Sequence, residues 1–122
     1  MAIPGLHLTP IGGTDFLLEP GRGLDIGDSG RLIERIAQRL LDARASRLYY
    51  DLSAQPIIDP VYYDWLNQLA RAVAAINVRM VCVNMQPAAA FALAQFIREL
   101  PSFGTALDIS GGQASCGHGR RS

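Results

Sequence analysis

The sequence predicts a small mixed α/β fold, a mostly parallel β-sheet with helices packed over it, in the order ββαβαβαβ. Three observations carry this reading. Two runs, RLYYDL at 47–52 and VRMVCV at 78–83, are rich in β-branched or aromatic residues, and the second is almost wholly apolar, as a buried parallel strand should be. Helix signals lie between and after these runs, so strands alternate with helices and the connections are right-handed crossovers. At the start, Gly12-Gly13 separates two short extended segments, which reads as a hairpin.

Taken in order, Leu6-His7-Leu8-Thr9 and Phe16-Leu17-Leu18-Glu19 form the hairpin, and a Gly-rich connector at 21–30 follows. Asp28 or Ser29 caps a helix running to about Arg44. Its apolar positions Ile33, Ile36, Ala37 and Leu40 recur at three- and four-residue spacing, while Arg31, Arg35 and Arg39 form a separate, solvated row. Asp59-Pro60 opens the next helix, to about Ile76, because Pro at the first helical position lacks only an N–H that has no partner there. Pro87 opens a third helix to about Leu100, and a short strand at 105–109 precedes a Gly/Ser/Arg tail. Residues 1–110 are expected to form one domain, and 111–122 a disordered tail.

The chain has 122 residues, 49% of them hydrophobic, with eleven basic residues offsetting eleven acidic ones. This composition excludes a disordered chain, a disulfide scaffold and a collagen-like repeat. Zero net charge leaves nothing global to attract a phosphate backbone or an anionic membrane, so neither nucleic acid nor membrane insertion is expected. Every basic residue is Arg, which reads as a compositional habit of an arginine-favouring genome rather than as a functional signal. The N-terminus shows no signal-peptide pattern, no apolar run reaches the roughly 20 residues of a membrane span, and a cytoplasmic location is expected.

Chemistry is sparse. Gly21-Arg22-Gly23-Leu24-Asp25-Ile26-Gly27 invites comparison with a dinucleotide loop, but its third Gly comes one residue late and it follows a hairpin strand. It reads as a flexible connector. His7 suits an exposed strand position, and Cys116 with His118 in the tail makes a poor metal site. Cys82 sits in an apolar run, with no base placed to activate it. Asp51, Asp59 and Asp64 cluster about the second helix start, where carboxylates favour the helix dipole without doing chemistry. No enzyme, cofactor or metal is expected.

The segment Asp51-Leu52-Ser53-Ala54-Gln55-Pro56-Ile57-Ile58-Asp59 before a helix resembles the signature of STAS domains, the anti-sigma-factor antagonists. Val81-Cys82-Val83-Asn84-Met85-Gln86-Pro87-Ala88 and Thr105-Ala106-Leu107-Asp108-Ile109 resemble further segments of that family, in register and most like its small stressosome scaffold members. The resemblance implies a STAS-like (SpoIIAA-like) fold and a bacterial partner-switching or stressosome role. It implies a GHKL-type switch serine/threonine kinase and other STAS-domain proteins as partners, with homo-oligomers or larger assemblies. In the family, the residue after the counterpart of Asp59 is usually a phosphorylated Ser or Thr; here it is Pro60, which has no hydroxyl. Asn77 and Asn84 stand where the family has Gly, and Asn tolerates the left-handed backbone that such positions use. The Gly-rich tail also departs, since the family often ends in another helix.

On the second helix, Tyr62, Leu66, Leu69, Val73 and Ile76 form the expected core stripe. Asp59, Pro60, Val61, Tyr63, Asp64 and Trp65 are the candidate partner-binding residues, with some of Val61, Tyr63 and Trp65 exposed. Tyr and Trp are enriched where partners dock. Two alternatives remain at this point: a STAS subunit of a lipid-transport ABC complex, or a small-molecule-binding protein using the connector at 21–30.

Overall fold

The structure is a computed structural model that describes residues 3–96 and 104–106. A five-stranded sheet has the order β1 (Leu6–Gly12), β2 (Asp15–Pro20), β3 (Arg47–Asp51), β4 (Arg79–Val83) and β5 (Gly104–Ala106). Strands β1 and β2 pair antiparallel as a hairpin, and every later pairing is parallel. The crossovers carry α1 (Ser29–Asp42), α2 (Pro60–Ala74) and α3 (Pro87–Phe96). The element order and the mixed, mostly parallel sheet agree with the sequence reading. The expected end of the third helix near Leu100, the last strand beyond Ala106, and the tail at 111–122 with Cys116 and His118 lie outside the described residues.

Each crossover steps to the next strand in the same direction. Right-handed connections that never reverse direction place their helices on one face of the sheet. The main core accordingly joins Leu18, Leu48, Tyr50, Met80 and Cys82 of the strands to Leu32, Ile36 and Leu40 of α1, to α2, and to Ala89 and Leu93 of α3. Strand residues alternate between faces. Tyr49, Val81 and Val83 thus form a smaller buried cluster on the opposite face, with Leu17 against it.

The helix boundaries and faces sharpen several expectations. In α1 the fully buried line is Leu32, Ile36 and Leu40, whereas Ile33 and Ala37 are only half-buried. The inner ridge follows a strict four-residue spacing that keeps Ile36 and Leu40 of the sequence reading and takes Leu32 in place of Ile33. Arg31 and Arg35 are exposed as expected. Arg39 is half-buried, its guanidinium carbon 5.8 Å from the Phe16 ring centroid, so its stem covers core and its charge sits over an aromatic face. Asp28 precedes α1 but makes no capping bond with its side chain. A short 3₁₀ turn, Ile26–Asp28, comes first, and Asp25 caps it by accepting from the Gly27 N–H at 2.9 Å.

Both first helices end on a left-handed residue. Asn77 (φ 64) follows α2, where the Val78 N–H bonds the Val73 carbonyl and the Asn77 N–H bonds the Ala74 carbonyl. Asn84 (φ 58) turns the chain after β4, as its residue type allowed. Arg44 (φ 55) makes the same closure after α1, with the Ala45 N–H on the Leu40 carbonyl, although Arg has no special tolerance for that region.

Candidate functional site

The candidate surface is the start of α2 with the loop that feeds it from β3. Asp59 has an extended backbone (φ −91, ψ 173), and its carboxylate accepts from the Tyr62 N–H at 2.8 Å. Pro60 occupies the first helical position, where its missing N–H leaves nothing unpaired. The loop itself is tied to the sheet. Asp51 accepts from the Ser53 N–H at 2.8 Å and from the Asn84 side-chain amide at 3.2 Å, and the Gln86 side chain donates to the Ser53 carbonyl at 2.7 Å. The Gln55 N–H returns to the Leu52 carbonyl at 2.9 Å, and Ile58 is fully buried beneath. The carboxyl ends of β3 and β4 thus hold this loop in place.

Ile57 and Val61, at 68% and 67% exposure, stand out from this frame beside exposed Pro56, Asp59 and Pro60. Asp64 is exposed one turn on and accepts from the Gln68 side chain at 2.6 Å. Tyr63 is half-buried against the core. The three carboxylates of this region have structural hydrogen bonds: Asp51 organises the loop, Asp59 caps the helix and Asp64 pairs along it.

Trp65 requires a correction. It is 2% exposed and belongs to the core, so it presents no surface to a partner. Its indole N–H donates to the Tyr50 hydroxyl at 3.0 Å, and that hydroxyl lies 2.6 Å from the hydroxyl of Tyr62. The Tyr50 and Tyr62 rings meet edge to face, with centroids 6.5 Å apart and planes at 80°. Trp65 turns inward because a polar partner for its N–H waits on β3, a fact that helical spacing does not encode. Ile57, which sequence reasoning missed, had a signal: of two successive Ile before an N-cap, only one reaches the core.

Burial raises the Tyr62 phenol to about 12, with its hydrogen bond to Tyr50 pulling slightly the other way. Burial likewise raises Tyr50 and the Cys82 thiol. In the unfolded chain Tyr62 ionises at its ordinary value of 10.0, while the folded protein holds the proton to about 12. The unfolded state therefore releases protons first. The stability from this network is fully present below about pH 10, its unfolded value, and is lost as pH rises toward about 12. Urea midpoints measured across this range should fall with pH, and Tyr62→Phe should flatten the fall.

No family model matches the chain, and none of the curated proteins does. Solved structures do. RsbS from Moorella thermoacetica, in a Ser-to-Glu variant, aligns with a TM-score of 0.70 and 18% identity over 96% of this chain and 98% of that one. A chain from the stressosome, described as a signal integration and transduction hub, aligns at 0.69 with 17% identity over 95% of this chain and 100% of that one. The unphosphorylated anti-sigma factor antagonist SpoIIAA aligns at 0.62 with 13% identity, over 93% and 96%. All three are STAS-domain proteins, and the chain has the STAS, or SpoIIAA-like, fold.

Proposed function

We propose that this chain is a non-catalytic regulatory scaffold of STAS type, similar to RsbS, acting in the cytoplasm within a bacterial stressosome or partner-switching pathway. Its partners are other STAS-domain proteins and a GHKL-type switch kinase, met through Asp59, Pro60, Val61, Tyr63 and Asp64, with Ile57 added. The observation that carries this reading is the exposure of Ile57 and Val61 on a hydrogen-bonded loop and helix start. Apolar side chains held rigidly in water lose little conformational entropy on docking. Among the described residues no helix is long and apolar enough to cross a membrane.

Pro60 sets the regulatory character. Phosphorylation of a helix start adds roughly −1.5 to −2 charges and changes which partner fits. A Pro at that position has no oxygen to phosphorylate, so this member is held in the unphosphorylated-like state and serves as a scaffold. The test is reconstitution with a second STAS-domain protein and a GHKL-type switch kinase from the same organism, plus ATP, comparing the wild type with Val61→Glu. The expected result is a co-purifying assembly, a loss of at least about tenfold in affinity for Val61→Glu at an unchanged urea midpoint, and no phosphate by mass spectrometry. Stoichiometric phosphate on Ser53, Tyr62 or Tyr63 would defeat the locked state, and equal assembly by Val61→Glu would defeat the surface.

A further inference from the structure

A second feature adjoins the docking surface, sharing the β3–α2 loop through Ala54 and Gln55 and the first turn of α2 through Tyr62, but using neither Ile57 nor Val61. A cavity of about 520 Å³ opens between the carboxyl ends of β2 and β3, lined by Pro20, Arg22, Leu24, Ile26, Gln55 and Tyr62, with Gly21 and Ala54. Both lips are fixed by backbone bonds. The Gly21 N–H donates to the Gly5 carbonyl at 2.7 Å and the Leu24 N–H to the Gly21 carbonyl at 3.3 Å, while the Gln55 N–H bonds the Leu52 carbonyl at 2.9 Å. The connector at 21–30, read from the sequence as flexible, is a fixed wall in this stretch.

The buried hydroxyls say what this cavity lacks. An indole nitrogen is a donor only, so the Tyr50 oxygen accepts from Trp65. Tyr50 is fully buried, and the one acceptor within reach of its own proton, among the described residues, is the Tyr62 oxygen at 2.6 Å. Tyr50 therefore donates and Tyr62 accepts. That leaves the proton of Tyr62, a side chain only 7% exposed, with no acceptor among the described residues. A buried donor left unpaired costs about 1–3 kcal/mol, so an acceptor belongs beside it. The charged group on the wall is the exposed Arg22 guanidinium, also a donor. Pro20, Leu24, Ile26 and Ala54 supply apolar surface around these donors.

We propose that this cavity binds a small organic carboxylate with a short apolar body. One carboxylate oxygen accepts the spare Tyr62 proton, Arg22 neutralises the charge, and the chain lies on Leu24 and Ile26. Nothing in this site uses Ile57 or Val61, so it extends the scaffold reading and stands or falls separately from it.

The experiment is an amide-proton NMR titration of the full chain with hexanoate, acetate and hexan-1-ol at neutral pH. Hexanoate should give saturable shifts at Gly21, Arg22, Leu24, Ala54 and Gln55, with affinity at least about tenfold tighter than either acetate, which lacks the body, or hexanol, which lacks the charge. Tyr62→Phe and Arg22→Gln should each weaken hexanoate by on the order of tenfold. Absence of saturable shifts at these residues overturns the site and leaves water as the hydroxyl's acceptor. Unchanged affinity in a folded Tyr62→Phe protein overturns the role of the hydroxyl. Should that variant fail to fold, Arg22→Gln and the three-ligand ranking decide, and equal affinity for all three ligands overturns the proposal.

Discussion

Replacing Trp65 with Ala should cost the fold about 3–5 kcal/mol, a large share of the roughly 5–15 kcal/mol that holds a domain of this size together. The residue is the largest fully buried side chain of the protein and lies between α2 and β3. Its removal loses the transfer energy of the ring and leaves a cavity beside Tyr50 in the closed core. It also strips one hydrogen bond from Tyr50, whose hydroxyl stays buried. Trp65→Phe keeps most of the volume and removes the N–H, so it should cost less. Urea unfolding followed by far-UV circular dichroism measures both, since the protein's one Trp is the residue being replaced. A partner-facing Trp65 would give the reverse pattern: stability within about 0.5 kcal/mol of wild type, and loss of assembly. The same pair of measurements on Val61→Ala should show that reverse pattern.

The contrast between Val61 and Trp65 shows what was legible in the sequence. The two are four residues apart and share a helical face, yet one is 67% exposed and the other 2%. Periodicity gives the centre of a buried stripe but not its width, and α2 buries a wide one that takes in Trp65 and Ala70 beside Tyr62, Leu66, Leu69 and Val73. Val61 escapes because it lies in the first turn, where the loop from β3 leaves the helix open to water. The strands were readable because β-branched and aromatic runs bounded by helix signals have few alternatives. The start of α2 was readable because Asp59-Pro60 fits little else, and the left-handed turns at Asn77 and Asn84 followed from residue type. Arg44 offered no such signal, because its left-handed backbone is imposed by closure of α1 rather than by its own preference. At the candidate site, the capping role of Asp59 was local and therefore visible. The bond from Asn84 to Asp51 joins residues 33 apart in sequence, and the cavity beside Tyr62 depends on three separated segments. Spacing along the chain carries no record of either.

Gly5→Ala should destabilise the protein by roughly 2–4 kcal/mol, although the residue sits in a short N-terminal turn with little to mark it in the sequence. Two effects add. Its backbone is in the left-handed half of the map (φ 85), where a side chain is strained. A methyl group there would also lie 2.5 Å from the Gly23 carbonyl carbon and oxygen and 2.5 Å from the Leu24 α-carbon. Those atoms are backbone, so relief requires moving the connector as a whole, and the bond from the Gly21 N–H to the Gly5 carbonyl resists that movement. Gly13 separates the two effects, because it too has a positive φ (57) but nothing within 4 Å of an added methyl. Gly13→Ala should therefore cost about 1 kcal/mol, the backbone strain alone. Unfolding free energies from urea titration of the two variants should differ accordingly, by at least about 1 kcal/mol. Equal costs would mean that residues 5 and 23 do not approach each other in solution. The same displacement would carry Arg22 and Leu24 away from Tyr62. Gly5→Ala should then weaken hexanoate binding, and Gly13→Ala should leave it intact, because the hairpin turn that holds Gly13 lies at the other end of β2 from the cavity.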